Sequence, residues 1–460
     1  MKALALAFLL ASNSWSAEST LARDIFRQLI EINTTDSSGG TTAAAEAMKQ
    51  RFLDAGFPPE DLTIAGGDVR KSNLVVRVHA AKDVSLKPVL IICHLDVVEA
   101  RREDWSTDPF QFVEKDGYFY GRGTQDMKAN DAVLVATLIR FRQEGFRPNR
   151  DIVLALTAGE ESGIANGVDW LLKNRRDLVD AEFVLNPDSG GVTTERGKPV
   201  HIGVEASEKI YADFELTARN PGGHSSLPIP DNAIYHITNA LGKLERAPFP
   251  FELNNVTRAY FEQMAKLEKG QRAEDIRAIL RTTPEPTAIA RLSEDPRFNA
   301  TMRTTCVATR LAAGHANNAL PQSAQAIVNC RVLPGHTPEE VQQELARLFA
   351  DPQIEMKRAD PVPGKKPIAP APLRADVFKG LERVTDEMWP GAPVIPEMET
   401  GASDSVYTMG AGLPSYGISG LAIDRDDVRA HGKDERVRIS SFDDAAAFYY
   451  RFLKALCAAQ

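Results

Sequence analysis

The sequence predicts an α/β fold: a main domain on a mixed, largely parallel sheet flanked by helices, interrupted by a smaller α+β domain. Two observations predict the main domain. The runs Pro88-Val-Leu-Ile-Ile-Cys93 and Ile152 to Thr157 are continuously apolar, as strands buried on both faces are. Stretches of helical period separate them, and strands alternating with helices build parallel sheets. A third observation marks the interruption. From Ile210 to Thr217 the chain alternates Ile-Tyr-Ala-Asp-Phe-Glu-Leu-Thr, the period of a strand with one solvated face.

In chain order, Leu21 to Ile30 and Ala43 to Ala55 read as amphipathic helices, the first placing Leu21, Ile25, Leu29 and Ile30 near one face. Asn73 to Val78 is a strand, the run ending at Cys93 another, and Asp131 to Arg142 a helix. A strand over Ile152 to Thr157, a helix over Val168 to Asn174 and a strand over Ala181 to Leu185 follow. The pattern changes after about Glu205. A helix (Asp231 to Leu244), a charged helical stretch (Thr257 to Leu280), a strand pair (Thr305 to Arg310, Ala324 to Val332) and a helix from Thr337 make the inserted unit. The Pro-rich segment Asp360 to Pro372 leads back to the main domain. The expected boundaries are 1–17 for an N-terminal leader, 18–206 and 363–460 for the main domain, and 207–362 for the insertion.

Composition narrows the class. The chain has 460 residues, 43% hydrophobic and 25% charged, the balance of a globular protein long enough for a large core. A net charge of −9 leaves no basic excess to cover a phosphate backbone, so nucleic acid is excluded as the main partner. Met1-Lys2, the apolar run Ala3 to Ala11 and the small residues up to Ala17 form a signal-peptide pattern, which implies a secreted or periplasmic protein. No stretch reaches the ~18 apolar residues of a membrane span, so no stable membrane insertion is expected. Cys93, Cys306, Cys330 and Cys457 form no C-x-x-C pair; export permits a disulfide, and no spacing demands one.

Five segments collect the chemistry, each expected where a strand gives way to a loop, the ligand-binding end of a parallel sheet. His94-Leu-Asp96 offers an imidazole for a metal and a carboxylate to fix its tautomer. Gly121-Arg-Gly-Thr-Gln-Asp126 presents Asp126 at a helix start, where a plain N-cap would also serve. Glu160-Glu161 follows the strand ending at Thr157. Adjacent carboxylates repel, and a cation between them would relieve that, leaving one to ligate and the other to act as base. Asn186-Pro-Asp188 is a turn, and His431 sits in a polar loop. Singly each has an ordinary structural explanation. Together, two His and three carboxylates suit two borderline metal ions sharing one carboxylate. No H-E-x-x-H, G-x-S-x-G or phosphate-loop motif occurs, so a helical single-zinc site, a serine hydrolase elbow and a nucleotide enzyme are excluded.

These segments, with G-E-E-S-G at 159, G-G-H-S-S at 222, N-A-L-P at 318, R-V-L-P-G at 331, T-G-A-S-D-S at 400 and H-G-K-D-E-R-V at 431, occur in one consistent order. In this the chain resembles the dinuclear zinc hydrolases that include glutamate carboxypeptidase, succinyl-diaminopimelate desuccinylase, aminoacylase and vacuolar carboxypeptidase S. The resemblance covers essentially the whole mature chain. It implies a catalytic domain interrupted by a lid and dimerisation domain, with a homodimer formed through the latter. It implies that His94, Asp126 and Asp188 hold one metal and Asp126, Glu161 and His431 the other. Glu160 would be the general base, deprotonating a metal-bridging water that attacks an amide carbonyl, and Asp96 would orient His94. His224 would stabilise the oxyanion, while Asn318 and Arg331 would contact substrate, Arg331 pairing with a carboxylate.

The implied cofactors are two divalent ions, zinc foremost, with cobalt or manganese also open. The implied substrate is a small peptide or N-acyl amino acid; a dedicated N-acyl-amino-acid or succinyl deacylase is the alternative, and a binding protein that has lost turnover a third. Three positions depart from the family pattern. Asp188 stands where some members carry Glu, Ala129 where Gly is usual, and Val406 where many relatives have Arg.

Overall fold

The computed structural model describes residues 20–81, 84–360 and 368–458, so the expected signal peptide lies outside the described residues. The chain divides into two units. One comprises the chain up to Ala206 with Ala371–Glu397 and Ser403 onward; the other comprises Ser207–Pro370 with Met398–Ala402.

The first unit is built on a mixed sheet. Its strands include β1 (Leu62–Ala65), β2 (Asn73–Val78), β3 (Val89–His94), β4 (Ile152–Thr157), β5 (Phe183–Asn186), β6 (Gly191–Glu195) and β7 (Lys198–Glu208). The spatial order is β1-β2-β4-β3-β5, then Ser415–Gly417, β7, β6 and Ala422–Asp424. The centre is parallel: β3 runs with β4 and β5, and Ser415–Gly417 runs with β5. The flanks are antiparallel, β2 against β4 on one side and β7 against β6 on the other. Every residue of β3 and β4 is buried, which is why both read as unbroken apolar runs. The β6–β7 hairpin escapes the sequence reading because its polar start, Lys198-Pro-Val-His, hides a strand whose burial begins only at His201.

The helix after β3 spans Lys128–Glu144, three residues earlier than its periodicity suggests. Lys128 reads as a surface residue but is fully buried. Its Nζ donates to the carbonyls of Leu29 and Ile32, 2.9 Å each, at the end of the 20–31 helix. They lie at the C-terminal end of the helix, where the i to i+4 ladder runs out of donors; the Leu29 carbonyl also accepts the Ile32 N–H at 3.3 Å. Burial pulls the Lys128 ammonium down to about 7. The same 20–31 helix is anchored by aromatics. Phe26 stacks on Phe442 at 4.9 Å and meets the edges of Phe112 and Phe119 at 5.4 and 5.9 Å. These rings join the first helix, the hairpin near Tyr118–Tyr120 and the C-terminal helix Ile439–Cys457.

The second unit carries an antiparallel sheet in the order Thr305–Ala313, Ser323–Val332, Ile210–Arg219, Ile354–Arg358. Ile210, Ala212, Phe214 and Leu216 are buried and alternate with half-buried neighbours, as the sequence pattern requires. The helices Ala233–Arg246 and Pro338–Phe349 pack on this sheet. The charged stretch resolves into the helices Asn255–Leu267 and Gly270–Ile279, the first opened by a capping box between Asn254 and Thr257. Cys306 and Cys330 face each other on neighbouring strands and form a disulfide. Strand register made that pair, and register is not visible in cysteine spacing. Among the described residues no helix is long and apolar enough to cross a membrane.

Truncating Phe26 to Ala is expected to destabilise the chain by about 3–5 kcal/mol, the usual cost of emptying a buried aromatic position. Urea unfolding checks this, and a loss under about 1 kcal/mol would mean the rings contribute no more than a surface contact.

Candidate metal centre

Because β4, β3 and β5 are parallel neighbours, their C-terminal ends lie side by side. They deliver Glu160-Glu161, His94 and Asp188 to one place. His94 ends β3 and is 2% exposed. Its Nδ1 lies 2.9 Å from the Asp96 carbonyl oxygen, so that nitrogen carries the proton and Nε2 is turned toward Asp126 Oδ1 (3.0 Å) and Asp188 Oδ1 (3.4 Å). Asp96 thus meets His94 through its main chain; its carboxylate stands 4.0 Å from Nδ1. That carboxylate accepts instead from the backbone N–H groups of Glu160 (3.3 Å) and Glu161 (3.0 Å). One residue therefore orients both the imidazole and the carboxylate pair. The pair's turn depends on Gly159, at φ 77°, where a Cβ would sit 2.8 Å from the Ile164 carbonyl oxygen.

Asp126 and His431 do not come from the ends of the main sheet, contrary to the pattern expected for all five segments. A small sheet supplies them: Tyr118–Tyr120 pairs with Arg436–Arg438, Asp126 follows the first strand and His431 precedes the second. Loops of this kind need fastening. Glu435, fully buried, accepts from Arg122 Nη1 (2.6 Å) and from the backbone N–H groups of Gly123 (3.1 Å), Gln125 (2.6 Å) and Asp126 (3.1 Å). Gln125 returns the link, its Oε1 accepting from the N–H groups of Arg429 and Ala430. Asp126 is not an N-cap; Met127 holds that position and makes no side-chain cap.

The result is one carboxylate between two imidazoles. Asp126 Oδ1 faces His94, and Oδ2 lies 3.0 Å from His431 Nε2. His431 Nε2 is also 3.0 Å from Glu161 Oε2. Burial opposes ionisation of Asp126, yet the hydrogen bonds from His431 and His94 hold its carboxyl below the usual range. The hydrogen bonds that His431 donates to Asp126 and Glu161 lift it to about 10. Burial depresses His94, but the Asp188 and Asp126 charges outweigh it and hold the ring well above its ordinary value. Burial, then the Asp188 charge, push Glu160 well up. Glu161 is pushed up by burial as well, with the His431 hydrogen bond opposing.

This donor set fits divalent cations. The ligand atoms of His94, Asp126 and Glu161 lie within 4.8 Å of one another, and so do those of His94, Glu160 and Asp188. Glu161 Oε1 is buried without a hydrogen-bond partner, an orphan that a cation would satisfy. Imidazole with carboxylate is the ligand chemistry of borderline divalent ions. Glu161 is occupied by His431, whereas among the described residues no side chain hydrogen-bonds the Glu160 carboxylate, which leaves Glu160 free to move a proton. A cavity of about 410 Å³ adjoins the centre, bordered by Thr34, Lys71, Val97, Glu161, Ser162 and His431 among others.

His224, Asn318 and Arg331 belong to the second unit. His224 pairs with Ala319 in a two-residue ladder, and the Ser225 N–H donates to the Asn318 carbonyl at 3.1 Å, so the two sequence candidates are neighbours. His224 is exposed, and its Nδ1 accepts from the Ser226 N–H at 3.2 Å, which places the ring proton on Nε2. Arg331 lies on the Ser323–Val332 strand with its guanidinium over the Tyr211 ring at 4.7 Å, and makes no ion pair among the described residues.

Sequence reasoning missed Glu435 and Gln125. Both stand inside segments it had singled out, but a residue that binds backbone N–H groups hundreds of positions away leaves no local pattern.

Residues 90–455 match the model of Peptidase family M20/M25/M40. The chain is 28% identical over 387 residues to a probable carboxypeptidase S-like 2 of Dictyostelium discoideum, covering 81% of this chain and 72% of that protein. It is also 28% identical over 444 residues to the human N-fatty-acyl-amino acid synthase/hydrolase PM20D1, covering 93% of this chain and 85% of the relative. In fold it is similar to an M20 family metallo-carboxypeptidase from Sulfolobus solfataricus, with a TM-score of 0.66 at 16% identity over 95% of this chain and 99% of that one.

Metal ligation requires neutral imidazole, and both site histidines are held protonated by their carboxylate neighbours. Adding two equivalents of zinc to metal-free protein at pH 7.5 is therefore expected to release protons, with less release as the pH approaches about 10. A pH-stat titration reads this directly; binding without proton release would contradict the electrostatic description.

Proposed function

Because the chain belongs to peptidase family M20/M25/M40, we propose that it hydrolyses peptide or N-acyl-amino-acid amide bonds with the help of two divalent ions, zinc foremost. The observation that carries the dinuclear reading is Asp126, which turns one carboxylate oxygen to His94 and the other to His431. In this reading His94, Asp126 and Asp188 hold one ion and Asp126, Glu161 and His431 the other. Bound divalent ions polarise a carbonyl and acidify a water. Glu160 takes a proton from the attacking water and passes it to the leaving amine. Burial pushes Glu160 up, which strengthens it as a proton acceptor.

His224 presents an Nε2–H donor, which is what a carbonyl oxygen turning into an oxyanion requires. Arg331, stacked on Tyr211 and without a carboxylate partner among the described residues, suits the free carboxylate of an amino-acid substrate, with Asn318 beside His224 as a further polar contact. A carboxypeptidase and an N-acyl-amino-acid hydrolase both cleave an amide that leaves an amino acid with a free carboxylate, so a peptide and an acylated amino acid suit one such site. A dedicated N-acyl-amino-acid deacylase is the second reading, favoured by the human relative, whose similarity runs over 93% of the chain. Export to a secreted or periplasmic location is part of the proposal, and the Cys306–Cys330 disulfide supports an oxidising compartment.

Amine release from dipeptides and N-acyl amino acids with free carboxylates, in excess zinc, tests the reaction. Glu160→Ala is expected to lower turnover by about 10²–10⁴-fold while the protein still binds two ions. Loss of metal instead would move Glu160 from base to ligand. His224→Ala is expected to lower kcat by about 10²–10³-fold with metal content unchanged. An unchanged kcat would remove His224 from the chemistry.

A further inference from the structure

None of the steps above uses the tripeptide Ser403-Asp404-Ser405, although it is the polar centre of the T-G-A-S-D-S motif. All three residues are buried, at 5%, 4% and 2% exposure. Burying an aspartate is costly unless its oxygens are matched, and apolar residues would pack such a place at less cost. Its partners show what keeps it there.

The serines face the β5 exit. Asn186, the last residue of β5, donates from Nδ2 to Ser403 Oγ (3.2 Å) and Ser405 Oγ (2.9 Å). With its amide fixed that way, Asn186 Oδ1 accepts the backbone N–H of Asp188 at 3.2 Å. Asp404 faces the β4 exit. Its Oδ1 accepts from Asn166 Nδ2 at 2.5 Å, and its Oδ2 meets Thr157 Oγ1 at 3.5 Å. Asn166 Nδ2 reaches the Gly159 carbonyl at 3.4 Å, and Asn166 Oδ1 caps the Gly167–Asn174 helix through the Asp169 N–H. Thr157, the last residue of β4, gives its hydroxyl proton to the nearer Cys93 carbonyl at 3.1 Å, directly before His94. One tripeptide therefore holds the far end of the loop that bears Glu160 and Glu161, through Asn166, and the turn that bears Asp188, through Asn186.

We propose that Ser403-Asp404-Ser405 is a positioning clasp: Asp404 sets the Glu160-Glu161 loop, and the two serines set Asp188 through Asn186. The inference rests on the dinuclear reading and assigns the clasp no contact with substrate or metal. Its two halves act on different ligands, so they are separable by mutation. Removing the serine hydroxyls leaves the Asn186 amide free to turn and loosens Asp188. Removing the Asp404 carboxylate frees Asn166 and loosens the Glu pair.

The test is cobalt(II) binding to the purified full chain, followed by visible absorption against a competing chelator, together with kcat, KM and thermal midpoint. Supporting residues around metal ligands are worth about 10–100-fold in affinity or activity. The Ser403→Ala/Ser405→Ala double variant is expected to weaken one of the two cobalt equivalents by about that factor and to leave the other at its wild-type affinity. Asp404→Ala is expected to lower kcat by about 10–100-fold with KM within about twofold. Asp404→Asn, which keeps an acceptor for Asn166, is expected to recover most of that loss and guards against a variant that merely fails to fold. Variants that bind both cobalt ions and turn over as wild type, with only a lower thermal midpoint, would overturn the clasp alone. A wild-type chain that binds no cobalt would overturn the dinuclear reading and the clasp together.

Discussion

The arrangement of the first unit's site depends on one electrostatic constraint. Asp96, Asp126, Glu160, Glu161, Asp188 and Asp404 are gathered around only two imidazoles, and like charges brought together out of water repel strongly. The structure handles the excess by pairing. Asp126 takes both histidines, one on each oxygen, and is held ionised by them; burial pushes Glu160 and Glu161 toward their neutral forms, in Glu161 against the hydrogen bond from His431. Two added divalent charges would reverse this balance, releasing the histidines to neutral ligands and the carboxylates to anions. The carboxylate density thus has a chemical explanation that structural pairing alone does not give it.

Holding such charges at fixed distances needs stiff support, and the fold provides it in two ways. Strands β3, β4 and β5 are fully buried parallel neighbours, so the residues at their ends inherit the rigidity of the core. Asp126 and His431 come from loops on a small sheet and have no such inheritance. For them the buried Glu435 serves, its two oxygens filled by Arg122 and three backbone N–H groups. A carboxylate without metal or substrate is therefore as necessary to the geometry as those that face it. A buried carboxylate needs partners for both oxygens, and Glu435 has them.

How much of this was legible in the sequence follows from the range of each interaction. The central strands announced themselves, because burial on both faces leaves an unbroken apolar run. The five segments that the structure gathers at the site were legible too, as short motifs in one consistent order. The helix start at Lys128 was not legible, since a buried lysine satisfied by two distant carbonyls looks like any surface lysine. The division of labour within Asp96, carbonyl to His94 and carboxylate to the Glu160-Glu161 backbone, was also hidden; residue type gives no sign of which oxygen is used. Glu435, the Ser403-Asp404-Ser405 contacts and the Cys306–Cys330 bond share one cause. Each is made by tertiary register, which a single chain's local pattern does not encode.

Whether Asp126 is shared between two ions is decided by the crystal structure of the zinc-loaded chain with anomalous data at the zinc edge. The expected result is two zinc peaks about 3.5–4 Å apart, one bound by Asp126 Oδ1 with His94 and the other by Asp126 Oδ2 with His431. A single peak, or two peaks with both Asp126 oxygens on one ion, would contradict it.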